Sequence, residues 1–355
     1  MNNIQKLQAS LKTADYAAII FSQHNRFYFT GFHSSDGILI VTSEKAVFLI
    51  DSRYVEAARK TCLNCEVVLL TSLSKQLPEL LKGFCVKTAG IEAYDLPVCE
   101  AERFKKILPD VEIDVTDSLS EIITRLRMIK TPQEIESMKK AQLITDAAFE
   151  HILGIMKPGV CERDIALEIE YFMKKSGASG PSFDLITVSG ENTSLPHGVA
   201  GSRCLREGDF VTLDIGDVVD GYCSDMTRTV AVGRISDEQK KVYDIVLEAQ
   251  IAAENALCAG KVCSSIDKIA RDIISDAGYG DCFGHGLGHS VGLLIHGEPR
   301  LSPSCHTVLE EGMTITVEPG IYLEGSFGVR IEDMAMITKD GCMVFTKSPK
   351  ELITL

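Results

Sequence analysis

The sequence predicts an α/β domain over residues 1–122 followed by an α+β domain over residues 123–355, the latter a curved, mainly antiparallel sheet covered by helices. Three observations lead there. A chain of 355 residues exceeds what one ordinary core supports, so two domains are expected. The first third alternates short apolar runs with helical patterns. The remainder looks internally duplicated, each half opening with a helix and supplying a hairpin that bears two acids.

In the first domain Ala17–Phe21, Gly37–Val41, Ala46–Ile50 and Glu66–Leu70 read as strands, and Tyr54–Lys60, Ser74–Lys82 and Pro97–Leu108 as helices. A connecting stretch around Glu121–Lys130 meets Thr131-Pro132-Gln133-Glu134. Here Thr is the N-cap, Pro takes the first helical position, and Glu reaches back to the cap. A long amphipathic helix should run from there to about Met156, before Pro158-Gly159. Ser236-Asp237-Glu238-Gln239 repeats the capping pattern and starts a second long helix, to about Cys258.

The duplication is read from order. Gly159-Val160-Cys161-Glu162-Arg163-Asp164-Ile165-Ala166 opens a helix that ends near Ser176-Gly177. Val262-Cys263-Ser264-Ser265-Ile266-Asp267-Lys268-Ile269-Ala270 opens one that ends near Ala277-Gly278. Leu195-Pro196-His197-Gly198-Val199 follows the first, and Leu287-Gly288-His289-Ser290-Val291 the second. Two similar halves related by a pseudo-twofold would bring their acids onto one axis.

Composition is that of a soluble globular protein, 45% apolar and 24% charged. A formal charge of -14 argues against nucleic acid or an anionic membrane surface as partner. The polar start, MNNIQKLQASL, reads as no export signal, and no apolar run approaches bilayer length, so the cytoplasm is the expected compartment. Twelve cysteines scatter through apolar patterns, Cys161, Cys204 and Cys258 among them, and are expected to be small reduced core residues. Cys62 and Cys65 form a CxxC without a second pair or redox-type flanks.

Five residues carry the chemistry: Asp214, Asp225, His289, Glu318 and Glu332. A hairpin of Phe210–Val218 and Tyr222–Val232 places the two aspartates together. A turn centred between Val219 and Asp220 sets Asp214 directly across from Asp225. An Asp220-Gly221 turn sets Asp214 opposite Thr227, with Asp225 diagonal on the same face. Either register leaves the carboxylates roughly 5–8 Å apart at Cβ. Such a buried pair repels unless one acid is protonated or a cation lies between. Asp217 and Asp220 read as a solvated hairpin tip, whereas Asp214 is embedded in an apolar run where a lone charge is costly.

Glu318 closes the strand Met313–Val317 ahead of Pro319-Gly320, and Glu332 lies in the return strand Gly328–Asp333. Asp333 points to the opposite face by the period of two. The bland alternative for Glu332 is a surface pair with Arg330. His285 and His289 are spaced for a zinc-binding helix, but three interleaved glycines argue against a helix. His285, His289 and His296 fall within twelve residues and read as a site, whereas His306 sits in a polar turn. Four carboxylates and one imidazole suit two hard or borderline divalent cations sharing bridging carboxylates. Oxygen-dominated ligation fits Mn²⁺, and the imidazole is compatible with Co²⁺ or Zn²⁺. The chain therefore reads as a metallohydrolase, because such a pair activates water and polarises a carbonyl.

These residues have the order and spacing of the two-metal "pita-bread" peptidases: prolidase, aminopeptidase P and methionine aminopeptidase. Leu195-Pro196-His197-Gly198, Thr212-Leu213-Asp214-Ile215-Gly216, Ser224-Asp225-Met226-Thr227-Arg228-Thr229, Thr316-Val317-Glu318-Pro319-Gly320 and Val329-Arg330-Ile331-Glu332-Asp333 resemble that family's signatures. Phe27-Tyr28-Phe29-Thr30-Gly31-Phe32 and Asp51-Ser52-Arg53-Tyr54 resemble the creatinase-like N-terminal domain of its proline-specific members. The resemblance implies that Asp214 chelates one metal and His289 the other. Asp225 and Glu332 would bridge, and Glu318 would bind the second metal and shuttle a proton. It also implies that His197 and His296 steady the substrate carbonyl and the tetrahedral intermediate, and that His285 and Arg330 line the site. One departure is Gly297 after His296, where relatives often carry Glu. It touches no expected ligand and bears on substrate preference.

By that resemblance a metal-bridging hydroxide attacks the Xaa-Pro carbonyl of a proline-containing peptide, and Glu318 passes the proton to the leaving nitrogen. The Xaa-Pro amide has no N–H, so an extended-strand clamp fits it badly and a dedicated pocket is needed. The alternatives are a prolidase restricted to dipeptides, a metal-free creatinase, and a non-catalytic binding or chaperone module on the same fold. The intact quintet disfavours the last two. Related enzymes usually form dimers or larger assemblies.

Overall fold

The apolar runs of the first third pair into one six-stranded sheet, in the order Glu66–Leu69, Ala46–Ile50, Ile38–Thr42, Tyr16–Ile20, Thr88–Ile91, Glu112–Asp114. The computed structural model describes residues 1–11 and 13–355 and separates two units, Met1–Arg127 and Met128–Leu355. In the first unit the central ladders are antiparallel and the flanking ones parallel. Its core gathers Ile19, Ile40, Leu49, Leu77 and Phe104 between sheet and helices. Thr88–Ile91 and Glu112–Asp114 were not expected, because runs of four and three residues give too little alternation to read.

Every strand ladder of the second unit is antiparallel among the described residues. Its two long helices, Pro132–Leu153 and Asp237–Asn255, start at the expected capping boxes of Thr131 and Ser236. The first stops short of Met156, which is apolar because it packs into the core beside the helix end. Each long helix pairs with a shorter one, and each pair covers strands of its own half. Phe149, Ile152, Ile165 and Ile169 pack on Val211, Leu213 and Ile215. Val246, Ala249, Ile266 and Ala270 pack on Ile315, Val317 and Val329. Each buried Val, Leu, Ile or Phe side chain among them contributes roughly 1.5–3 kcal/mol.

The duplication is visible in hydrogen bonds. At the start of the helix Glu162–Lys175, Glu162 N donates to Arg203 O and Arg163 N to Gly201 O. At the start of Cys263–Asp276, Cys263 N donates to Thr307 O and Ser264 N to Cys305 O. The residue before each helix forms an isolated bridge, Cys161 with Cys204 and Val262 with Val308. Cys161 and Cys204 are joined by a disulfide, which corrects the expectation of reduced core thiols for that pair. They lie 43 positions apart and meet only because the returning loop runs alongside the helix start. The other ten cysteines are free. Among the described residues no helix is long and apolar enough to cross a membrane.

Candidate metal centre

The first hairpin adopts the register that places Asp214 opposite Thr227. Its tip is Asp220-Gly221, with φ of 51° and 83°. Two consecutive left-handed residues make the two-residue turn that matches strand twist, and Asp tolerates that conformation. Alternation along Phe210–Ile215 sends Val211, Leu213 and Ile215 to the helices and Asp214 to the opposite face. Asp225, just before the strand Met226–Ala231, joins it there. Asp217 departs from the expected solvated tip. It is fully buried, accepts from Thr145 Oγ1 at 3.1 Å, and is pushed up to about 7 by burial. The long helix Pro132–Leu153 covers that end of the hairpin, which local sequence cannot reveal.

Glu318 follows the strand Thr314–Val317 and donates its N–H to Leu287 O. Glu332 sits in the break between Phe327–Arg330 and Asp333–Thr338, which pair with different partner strands. Freed from both ladders, its N–H reaches Thr227 O at 3.0 Å, while its Oε2 accepts from Thr227 Oγ1 at 2.7 Å. One residue of the first hairpin thus holds an acid of the second half. Asp333 faces away, as expected, onto Arg228.

His289 lies in the short strand Gly288–Ser290, not in a helix. A Cβ on Gly288 would fall 2.0 Å from Thr316 O, so only glycine lets this strand approach its neighbour. The preceding loop is tied by Asp267, which accepts from Leu287 N and pairs with Arg271, itself donating to Phe283 O and His285 O. His289 Nδ1 faces Ser290 O at 3.3 Å. A proton on Nδ1 leaves the Nε2 lone pair free to ligate.

Ligand atoms of Asp225, His289 and Glu332 all lie within 4.8 Å of one another. His289 Nε2 is 3.2 Å from Glu318 Oε1 and 3.7 Å from Asp225 Oδ2. Asp214 enters the group with one oxygen occupied, since its Oδ2 accepts from Arg330 at 2.6 Å. Arg330 is buried, and its other donors go to Thr227 Oγ1, Pro196 O and Tyr322 OH. It therefore pairs with Asp214 and not with Glu332. All nine expected residues, the five above with His197, His285, His296 and Arg330, line one cavity of about 1060 Å³. His296 stacks edge-on against His289, with ring centroids 4.6 Å apart.

Among the cavity residues that the sequence does not mark, Tyr322 and Arg300 bear on its chemistry. Tyr322 OH bonds both Arg330 Nη1 and His285 Nε2, at 2.8 and 3.1 Å. It occupies an ordinary strand, Gly320–Leu323, and carries no motif. Arg300 stands opposite His289 in a β-ladder and reaches the cavity wall. The twofold period from the buried Leu301 marks it as outward-facing but not as cavity-facing.

The electrostatics fit cations. Burial and the neighbouring carboxylates push Asp225 and Glu332 well above the usual carboxylate range. Burial also raises Asp214, against the pull of Arg330. Glu318 would rise by burial, but its hydrogen bond to His289 and that imidazole's charge bring it to about 2. Burial opposes the charge on His289, yet Glu318 and Asp225 lift it to about 9. Asp214 Oδ1 and Glu332 Oε1 are buried without a hydrogen-bond partner among the described residues. Unsatisfied buried carboxylate oxygens are costly, and hard divalent cations are the groups that satisfy them.

A pH dependence follows for metal-stripped protein. Asp225, Glu332 and His289 hold protons more tightly folded than unfolded, so their stabilisation is complete below their unfolded pKa values and lost as pH rises. For His289 the loss runs from 6.5 through about 9. Glu318 acts oppositely, losing its stabilisation only as pH falls from 4.5 toward about 2. Stripped protein is expected to melt at a lower temperature near pH ~9 than near pH ~6. Metal-loaded protein should lose its ions, and stability with them, below about pH 5. Calorimetric melts of both forms check this, and a pH-independent stripped form would mean that the carboxylates are not crowded.

Residues 136–339 match metallopeptidase family M24, and residues 3–129 match the Creatinase/Prolidase N-terminal domain. The Xaa-Pro dipeptidase of Pyrococcus furiosus is 40% identical over 330 residues, covering 93% of this chain and 92% of that one. The structure of the Xaa-Pro dipeptidase from Bacillus anthracis superposes with a TM-score of 0.95 at 43% identity, covering 99% of both chains. That of the X-Pro aminopeptidase from Thermotoga maritima gives 0.90 at 34% identity, covering 96% and 97%.

Proposed function

Because the chain belongs to metallopeptidase family M24 and carries the Creatinase/Prolidase N-terminal domain, we propose that it is a two-metal exopeptidase hydrolysing the N-terminal Xaa-Pro bond of peptides. The observation that carries this reading is the convergence of four acids and His289 on one cavity, with two buried acid oxygens unsatisfied. In it Asp214 and His289 would each hold one metal, Asp225 and Glu332 would be shared between the two, and Glu318 would join His289. When bound, divalent cations, Mn²⁺ in the first instance, would supply an activated water and a polarised carbonyl.

The chain's own groups do the rest. Glu318, whose Oε1 lies 3.2 Å from His289 Nε2, can take a proton and return it to the leaving imide nitrogen. His197 and His296 line the wall where a scissile carbonyl would lie, and partial desolvation lowers the pKa of His296 from its ordinary value. His285 and Arg330, joined through Tyr322, fix the orientation of Asp214. Proline as the second residue is supported by the names of the relatives. A homodimer or larger assembly in the cytoplasm belongs to the same reading, and sedimentation of the purified chain tests the assembly.

Restriction to dipeptides is a second reading, favoured by Arg300. Its side chain is 52% exposed, its nearest acid is Glu298 at 3.8 Å, and it reaches the cavity wall. A guanidinium there can receive the free carboxylate of a C-terminal proline. The test is hydrolysis of Ala-Pro and Ala-Pro-Ala by stripped protein resupplied with Mn²⁺. Cleavage of the tripeptide establishes an aminopeptidase, and cleavage of the dipeptide alone a prolidase. Silence on both, with metal bound, rejects the proline reading. If Arg300 holds the carboxylate, Arg300→Met raises KM for Ala-Pro by about 10- to 100-fold, the worth of a charged hydrogen bond, and leaves KM for Ala-Pro-Ala far less changed.

A further inference from the structure

Arg228 lies on the strand Met226–Ala231, one residue past Thr227, and its side chain is 1% exposed. A guanidinium has five N–H donors in a planar fork. Here all five are spent. Nε donates to Pro349 O, Nη1 to Thr227 O and Glu332 O, and Nη2 to Asp333 Oδ1 and Ser348 O. The fork therefore joins three stretches of chain: the first hairpin, the break that carries Glu332, and the C-terminal segment.

The C-terminal segment is tied down on both sides of that contact. Asp146 accepts from Lys347 N, Ser348 N and Ser348 Oγ. Lys350 Nζ contacts Asp333 Oδ2 at 2.6 Å and Glu254 at 2.7 Å, and Tyr243 OH donates to Lys350 O. Farther on, Ala231 N donates to Ile353 O, and Leu355 N to Ala231 O. Asp333 thus has one oxygen on Arg228 and the other on Lys350.

Glu332 has left both of its ladders. Its N–H is held by Thr227 O and its carbonyl by Arg228. Backbone and carboxylate alike are therefore placed by Thr227 and Arg228, and Arg228 is in turn placed by the C-terminal segment. We propose that the segment Lys347–Leu355, acting through Arg228 and Lys350, positions Glu332 for metal and so belongs to the metal-binding apparatus. This rests on the reading of Glu332 and Asp225 as ligands. Arg228 and Lys350 are positioning residues in this scheme and touch no substrate.

The test uses full-length Arg228→Lys and Lys350→Met, with Asp225→Asn as control. Each stripped protein is titrated with Co²⁺ by calorimetry, its visible Co²⁺ spectrum is recorded, and its melting temperature is measured. Lysine offers three donors around a point charge and cannot reproduce the fork. Arg228→Lys is expected to weaken Co²⁺ binding about 10- to 100-fold and to alter the spectrum, as loss of support behind a ligand does. Lys350→Met should act in the same direction, more weakly. A lowered melting temperature with wild-type affinity and spectrum in both variants would overturn the proposal, leaving a purely structural ion pair. If Arg228→Lys does not fold, Lys350→Met decides by the same readouts. Wild-type Co²⁺ affinity in Asp225→Asn would instead remove the ligand assignment on which the proposal stands.

Discussion

Asp225→Asn is expected to abolish turnover, on the order of 10³-fold or more, since a ligand acting as part of a unit is lost whole. The substitution keeps volume and removes one charge from a position proposed to bridge both metals. Asp225 is 4% exposed, and its Oδ2 lies 3.7 Å from His289 Nε2, so its carboxylate sits inside the cluster of ligand atoms. The same change removes a like charge that burial, Asp214 and Glu318 already disfavour. Stripped Asp225→Asn protein should therefore melt at or above the stripped wild type, while the stabilisation conferred by added metal disappears. Activity on an Xaa-Pro peptide, metal content after dialysis and paired melts measure this. Near-normal activity would sink the two-metal assignment.

What the sequence made legible divides along local and tertiary lines. Asp214, Asp225, Glu318 and Glu332 stand out because a charge inside an apolar strand run needs a reason, and each run is only a few residues long. The hairpin register was narrowed to two choices by the turn residues. The structure takes Asp220-Gly221 because Asp accepts φ of 51° there. Asp217 was misread for the complementary reason. Its neighbours in sequence look like a turn, and only the distant Thr145 and its helix bury it. Cys161 and Cys204 likewise needed a loop path that no local pattern encodes. Tyr322 and Arg300 escaped notice because a lone Tyr or Arg in a strand is ordinary until a cavity is seen beside it. Arg228 was inside a recognised signature, yet its five partners are spread over three stretches of chain from Thr227 to Pro349.

His197→Ala is expected to keep its metal and lose about 10²- to 10³-fold in kcat, the cost of removing one group aimed at developing charge. His197 is exposed at the cavity wall, close enough to His296 to lower that imidazole's affinity for a proton. Its loop does not depend on it. Glu162 accepts from Ser189 N, Ser189 Oγ, Asn192 Nδ2 and Gly201 N on either side, and Pro196 O accepts from Arg330. Truncating an exposed imidazole on a loop so anchored should change stability by no more than about 0.5 kcal/mol. If His197 acts only on the transition state, kcat and kcat/KM fall together and KM stays put. A rise in KM at constant kcat would make it a general substrate contact. Loss of metal would place it among the groups that hold the centre, leaving His296 to face the carbonyl alone.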